Sequence, residues 1–147
     1  MESVKNYIPH SGFMKLIDNY ISIDFDQNKA TIGLTLDINK PYWDKNSLFK
    51  TYWSIEMMAQ AVAAFHQKQT NANDKPQMGY LISIDSYELF ESMKLKPGDK
   101  INIIATMEMD LFPIGVYSCK VMSGDTLISE ASMKFLIEEG ELLSKVH

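Results

Sequence analysis

Glu56 and Gln60 stand one helical turn apart in SIEMMAQAVAAFHQ, residues 54–67, a stretch that is apolar nearly all the way round. Ile55, Met57, Met58, Ala59, Ala61, Val62, Ala64 and Phe65 leave no obvious solvated face for a carboxylate. An acid near a helix start gains about 0.3–1 kcal/mol from the helix dipole. Burying an unpaired carboxylate costs several kcal/mol, so a Glu here must be paired, protonated or used. Perturbed acids of this kind cluster in active sites. Gln60, four positions on and on the same side, is placed to hold the carboxyl group or to act as a structural amide. Of the three histidines, His147 is terminal and His66, near the polar end of the helix, reads as solvent-facing. His10, in IPHSGFM, follows a backbone-restricting proline and precedes a Ser-Gly turn. A histidine and a carboxylate are the usual pair for moving protons at neutral pH, which makes Glu56 and His10 the candidate catalytic residues.

Other chemistries find little support. Cys119 alternates with Tyr117 and Val121 on one strand face and reads as a small buried hydrophobe, with no base beside it to make a nucleophile. One cysteine and three scattered histidines match no metal-ligand spacing, and no cofactor motif is seen: none of the seven glycines forms a phosphate-cradling loop. The ten methionines suit an adaptable acyl tunnel but equally ordinary core filling. The net charge of −5 disfavours nucleic acid, which requires clustered Lys and Arg.

The elements that must position these residues follow from periodicity. In KATIGLTLDI, Ala30, Ile32, Leu34 and Leu36 alternate with polar or small residues, the mark of a sheet with one buried face. NYISIDFD pairs with it across DQN. An aromatic-bearing loop, residues 39–50, leads to a helix from about Tyr52 to about Gln69 with Thr51 as N-cap. After the polar breaker TNANDKPQ come four strands: QMGYLISIDSYEL, then INIIATMEM with Ile101, Ile103, Ala105, Met107 and Met109 on one face, then GVYSCKVM and LISEASMKFLI. In the last, Leu127, Ala131, Met133, Phe135 and Ile137 face one way. SGDT is a hairpin turn, and Pro-Gly-Asp forces another.

A helix apolar all round needs cover on every side, and a single sheet supplies it most economically by curling around the helix. The expected architecture is the α+β hot-dog fold: an antiparallel sheet of five or six strands wrapped around one central helix, in a single domain over residues 1–147. One sheet cannot enclose the helix completely, so a second copy or a related subunit is expected. The start lacks a signal-peptide pattern, no run is long enough to span a membrane, and the lone cysteine fits a reducing compartment, so cytoplasm is the expectation.

PHSGFMKLID, IEMMAQAVAAF, GYLISIDSYELF and LKPGDKINI, in this order, resemble the hot-dog 3-hydroxyacyl-acyl-carrier-protein dehydratases of the FabA/FabZ type. The wording WSIEMMAQAVAA is most similar to the aryl-polyene, ApeP-like branch. The resemblance implies removal of water across C2 and C3 of an acyl thioester on an acyl carrier protein. A histidine takes the C2 proton, a carboxyl at Glu56 protonates the departing hydroxyl, and backbone N–H groups near the helix start polarise the thioester oxygen. It implies that Gln60, Tyr42, Trp53 and Gly79 bind substrate. It departs from the family pattern where a Gly-His-Phe-Pro segment is expected: the family histidine aligns with Tyr42 in KPYWDKN, and KTYW replaces Pro-Gly at the helix start. Three explanations follow: His10 replaces the base, a partner subunit supplies it, or the chain is a non-catalytic acyl-binding subunit. A hot-dog thioesterase is the alternative enzyme. Lys45, Lys50, Lys94 and Lys96 are the local basic residues available to an acidic carrier, or simply a solvated face.

Overall fold

The structure, a computed structural model, describes residues 2–5, 7–8, 12–70, 78–90 and 94–138. Seven strands form one antiparallel sheet in the order β1-β2-β3-β5-β6-β7-β4. They are β1 (Glu2–Ser3), β2 (Asn19–Asp24), β3 (Lys29–Thr35), β4 (Met78–Leu89), β5 (Lys100–Leu111), β6 (Ile114–Ser123) and β7 (Thr126–Glu138). A 3-10 turn at Gly12–Met14 precedes β2, and the helix α1 runs Trp53–Thr70. This is the hot-dog arrangement, with one strand more than expected. The addition is the two-residue β1, too short to leave a periodic signal.

Alternation along the strands supplies the wall of the core. Ile32, Leu34, Ile101, Ile103, Ala105, Cys119, Val121, Met133 and Phe135 are buried, and α1 buries Met57, Met58, Ala61, Val62, Ala64 and Phe65. Of the register shifts in the sheet, two change which expected residues face the core. The register slips between Met107 and Met109, which turns Met109 out to 51% exposure and off the face it was expected to share with Ile101. A second slip between Val121 and Met122 buries Ile128 and leaves Leu127 half-buried.

Both expected turns form around glycines with positive φ. Gly98 (φ 95°) donates its N–H to Leu36 O at 2.7 Å, tying the Pro-Gly-Asp turn to the end of β3, and Gly124 (φ 58°) closes the β6–β7 hairpin. A side chain at either position would strain the backbone. Cys119 is buried as expected, and desolvation pushes its thiol up to about 12. No helix among the described residues is long and apolar enough to cross a membrane.

Candidate active site

Glu56 lies in the first turn of α1 and is half-buried, less enclosed than its apolar neighbours suggest. Gln60 is 1% exposed and makes three hydrogen bonds. Its Oε1 accepts from Leu16 N–H at 2.8 Å, and its Nε2 donates to Met14 O at 2.8 Å and to Glu56 Oε1 at 3.4 Å. The amide thus pins the strand-entry segment, residues 14–16, across the helix face that carries the carboxylate. His10 and His147 lie outside the described residues.

Trp53 stands three residues before Glu56 and seven before Gln60, so the three share a helix face. Its indole Nε1 is buried with no acceptor among the described residues. That uncompensated donor costs about 1–3 kcal/mol in the isolated chain.

The helix start differs from what the resemblance implied. Trp53, Ser54 and Ile55 donate their N–H groups to Lys50 O, Thr51 O and Tyr52 O at 3.0, 3.0 and 3.1 Å. Tight i→i−3 turns therefore occupy the donors that would otherwise face an oxyanion. Thr51 enters through its carbonyl, which accepts from Ser54 Oγ at 2.8 Å and from Tyr87 O–H at 3.2 Å. Ser54 Oγ and Tyr87 O–H are themselves 2.8 Å apart, fastening the first turn to β4.

Tyr42 lies in the loop that precedes α1, and Gly79 near the start of β4. The Tyr42 ring is 1% exposed and packed against Trp43 and Phe49, and its hydroxyl accepts from Asp37 N–H at 2.7 Å. Burial pushes its pKa up to about 12, so it pins the 39–50 loop and cannot act as a base at neutral pH. Gly79 is exposed on β4, opposite Ile137. Tyr87, which meets the helix start, lies eight residues further along that strand, or about 26 Å at strand rise. His66 is half-buried rather than solvent-facing and lines a cavity at the far end of α1. That role escaped sequence reasoning, because strand curvature and the β5–β6 hairpin create the cavity.

A profile of the ApeP-like family, described as ApeP dehydratase, matches residues 2–142. The chain belongs to the ApeP-like dehydratase family. The reaction of ApeP-like dehydratases is dehydration in aryl polyene biosynthesis, in agreement with the resemblance read from Glu56, Ala59 and Gln60. No curated protein sequence matches. Among solved structures, the dehydratase heterocomplex ApeI:P from Xenorhabdus doucetiae superposes with a TM-score of 0.81 at 18% identity, covering 99% of this chain and 97% of that one. An uncharacterized protein of Pyrococcus horikoshii gives 0.65 at 17% identity, covering 97% and 99%. The E. coli PaaI protein of the phenylacetic acid degradation operon gives 0.63 at 13% identity, covering 83% and 80%. At these identities the structures share the ApeP-like chain's fold.

Proposed function

We propose that the chain dehydrates 3-hydroxyacyl thioesters held on an acyl carrier protein to trans-2-enoyl thioesters. The observation that carries this reading is the Gln60 amide, which fixes the Glu56 carboxyl and the segment following His10 on one helix face. In the reaction a histidine removes the C2 proton and the C2 electron pair forms the C2–C3 double bond. The C3–O bond breaks, and the hydroxyl leaves as water on taking the Glu56 proton. The imidazolium then returns its proton to the carboxylate. General acid–base catalysis of this kind contributes about 10²–10⁴-fold. The histidine is His10 or one from a partner. Trp53, with its unpaired indole N–H, is the substrate-binding residue on the same face.

The partner in this reading is a second hot-dog subunit, homologous or identical, that adds along β4. Among the described residues that strand pairs only with β7, and it exposes Tyr80, Ile82 and Ile84 along its length. The relative in the Xenorhabdus complex is itself part of a dehydratase heterocomplex. Gly79, distant from Glu56 in its own chain, then serves the site of the adjoining subunit. Lys45, Lys94 and Lys96 are exposed and available to an acidic carrier.

The test supplies 3-hydroxyacyl carrier protein to the purified chain, alone and with its partner, and follows product mass. Loss of one water supports dehydration, whereas release of the carrier thiol points to a thioesterase. Dehydration by Glu56→Gln at the wild-type rate overturns the role of Glu56.

A further inference from the structure

Among the described residues two buried side-chain polar atoms have no hydrogen-bond partner, Trp53 Nε1 and Ser129 Oγ. They differ in how far they can adjust. Ser129 lies on β7 between Val121 of β6 and Leu89 of β4, and a serine hydroxyl rotates to suit its surroundings. An indole N–H points only where its ring points. The Trp53 ring packs against the core and against Tyr52, whose ring centroid lies 5.8 Å away with the planes 32° apart. Its donor is therefore held in place, shielded from water and unused.

Its position gives that donor a task. Trp53 opens α1 three residues before Glu56, about 4.5 Å along the helix axis. When a base takes the C2 proton of a thioester, the electron pair left behind spreads onto the carbonyl oxygen, which then needs a donor. The first three backbone N–H groups of α1 are already bonded, to Lys50 O, Thr51 O and Tyr52 O. Thr51 O also accepts from Ser54 Oγ and Tyr87 O–H, so releasing that turn would undo its junction with β4.

We propose that the Trp53 indole N–H is the hydrogen-bond donor to the thioester carbonyl oxygen, in place of the backbone at the helix start. The inference rests on the reading that Glu56 marks the reacting end. As the base removes the C2 proton, the indole stabilises the enolate oxygen and keeps its own proton. The electron pair then returns from oxygen to make the C2–C3 double bond. The C3–O bond breaks, and the departing hydroxyl takes the Glu56 proton. A donor that starts without a partner has no bond to break first, and burial strengthens the one it makes.

Two inert pantetheine probes of equal length, both without a 3-hydroxyl, provide the test. In one a methylene replaces the thioester sulfur and leaves a ketone; in the other a methylene replaces the carbonyl and leaves a thioether. The chain has two tryptophans, and Trp43 donates its indole N–H to Asp37 O at 2.8 Å, which makes its resonance an internal control. Proton–nitrogen NMR of the labelled protein, alone and with its partner subunit, reads both indoles. The ketone should move the Trp53 N–H downfield, the thioether should not, and Trp43 should stay in place. Trp53→Phe keeps an aromatic ring without the donor, and should lower kcat about 10²-fold with KM within about threefold. A loss of packing alone would leave the ketone-specific shift unexplained. A Trp53 signal that the ketone leaves in place, or that the partner alone moves downfield, overturns the assignment, as does wild-type kcat in Trp53→Phe. The probes do not react, so a ketone-specific shift without dehydration retires the proposed reaction and keeps the donor. Dehydration with the Trp53 signal unmoved does the reverse.

Discussion

Gln60 donates to the Glu56 carboxylate across 3.4 Å while its own oxygen holds the Leu16 N–H at 2.8 Å. One amide thereby serves the acid and the segment that crosses over it. Removing it in Gln60→Ala leaves the Leu16 N–H and the Met14 carbonyl without that partner, each worth about 1–3 kcal/mol when buried. The expected loss is about 2–4 kcal/mol in urea denaturation, together with a fall in turnover larger than in substrate affinity. Gln60→Glu retains an acceptor for Leu16 but sets a second carboxylate against Glu56. It should restore part of the stability and little of the activity, and full recovery of both would refute the positioning role.

The helix start makes a second linkage that can be measured. Ser54 Oγ and Tyr87 O–H lie 2.8 Å apart and both reach Thr51 O. Ser54→Ala and Tyr87→Phe should each cost about 1 kcal/mol. In the double variant the losses should fall short of additive by about 0.5 kcal/mol or more, because the two hydroxyls belong to one network. Strict additivity would show that β4 and the first turn of α1 are not joined through this contact.

Most of the fold was legible because it rests on period. The alternation of Ile32, Leu34, Ile101 and Ile103 and the all-apolar helix lead to a curled sheet without tertiary knowledge. What escaped depends on the third dimension. Met109 obeys the alternation and is still turned out, since a bulge consumes one residue and bulges carry no sequence period. Glu56 and Gln60 were readable as a pair from helical spacing alone. That Gln60 also grips residues 14 and 16 was not, because a contact across more than forty positions leaves no local mark. Tyr42 aligned with a catalytic position, yet its hydroxyl is engaged by its own loop at Asp37.

Buried phenols set the alkaline limit of stability. Desolvation holds Tyr42 up to about 12, against an ordinary 10.0, and Cys119 up to about 12, against 9.0. The unfolded chain ionises first, so it binds fewer protons than the folded chain between these values. Stability is therefore complete below pH 9 and falls as the pH rises through 12. Tyr42 alone accounts for about 2 kcal/mol of that decline. Urea midpoints between pH 7.5 and pH 11 should show the descent, and Tyr42→Phe should flatten it above pH 10. A curve rising over that interval would contradict the sign.

The open edge of β4 makes the last prediction. Tyr80, Ile82 and Ile84 are 45%, 48% and 41% exposed on a twelve-residue strand whose other neighbour is absent among the described residues. Such an edge is a template for strand addition, and natural edges that stay single are guarded by charge. Ile82→Lys introduces that guard where the side chain is already exposed, so folding stability should change by less than about 0.5 kcal/mol. If the edge carries the subunit contact, the assembled species should give way to a monomer in light scattering. Dehydration should fall with it if, as proposed, Gly79 and a partner histidine serve the carboxylate across that contact. An assembly of unchanged mass and activity would move the interface elsewhere and return the missing base to His10.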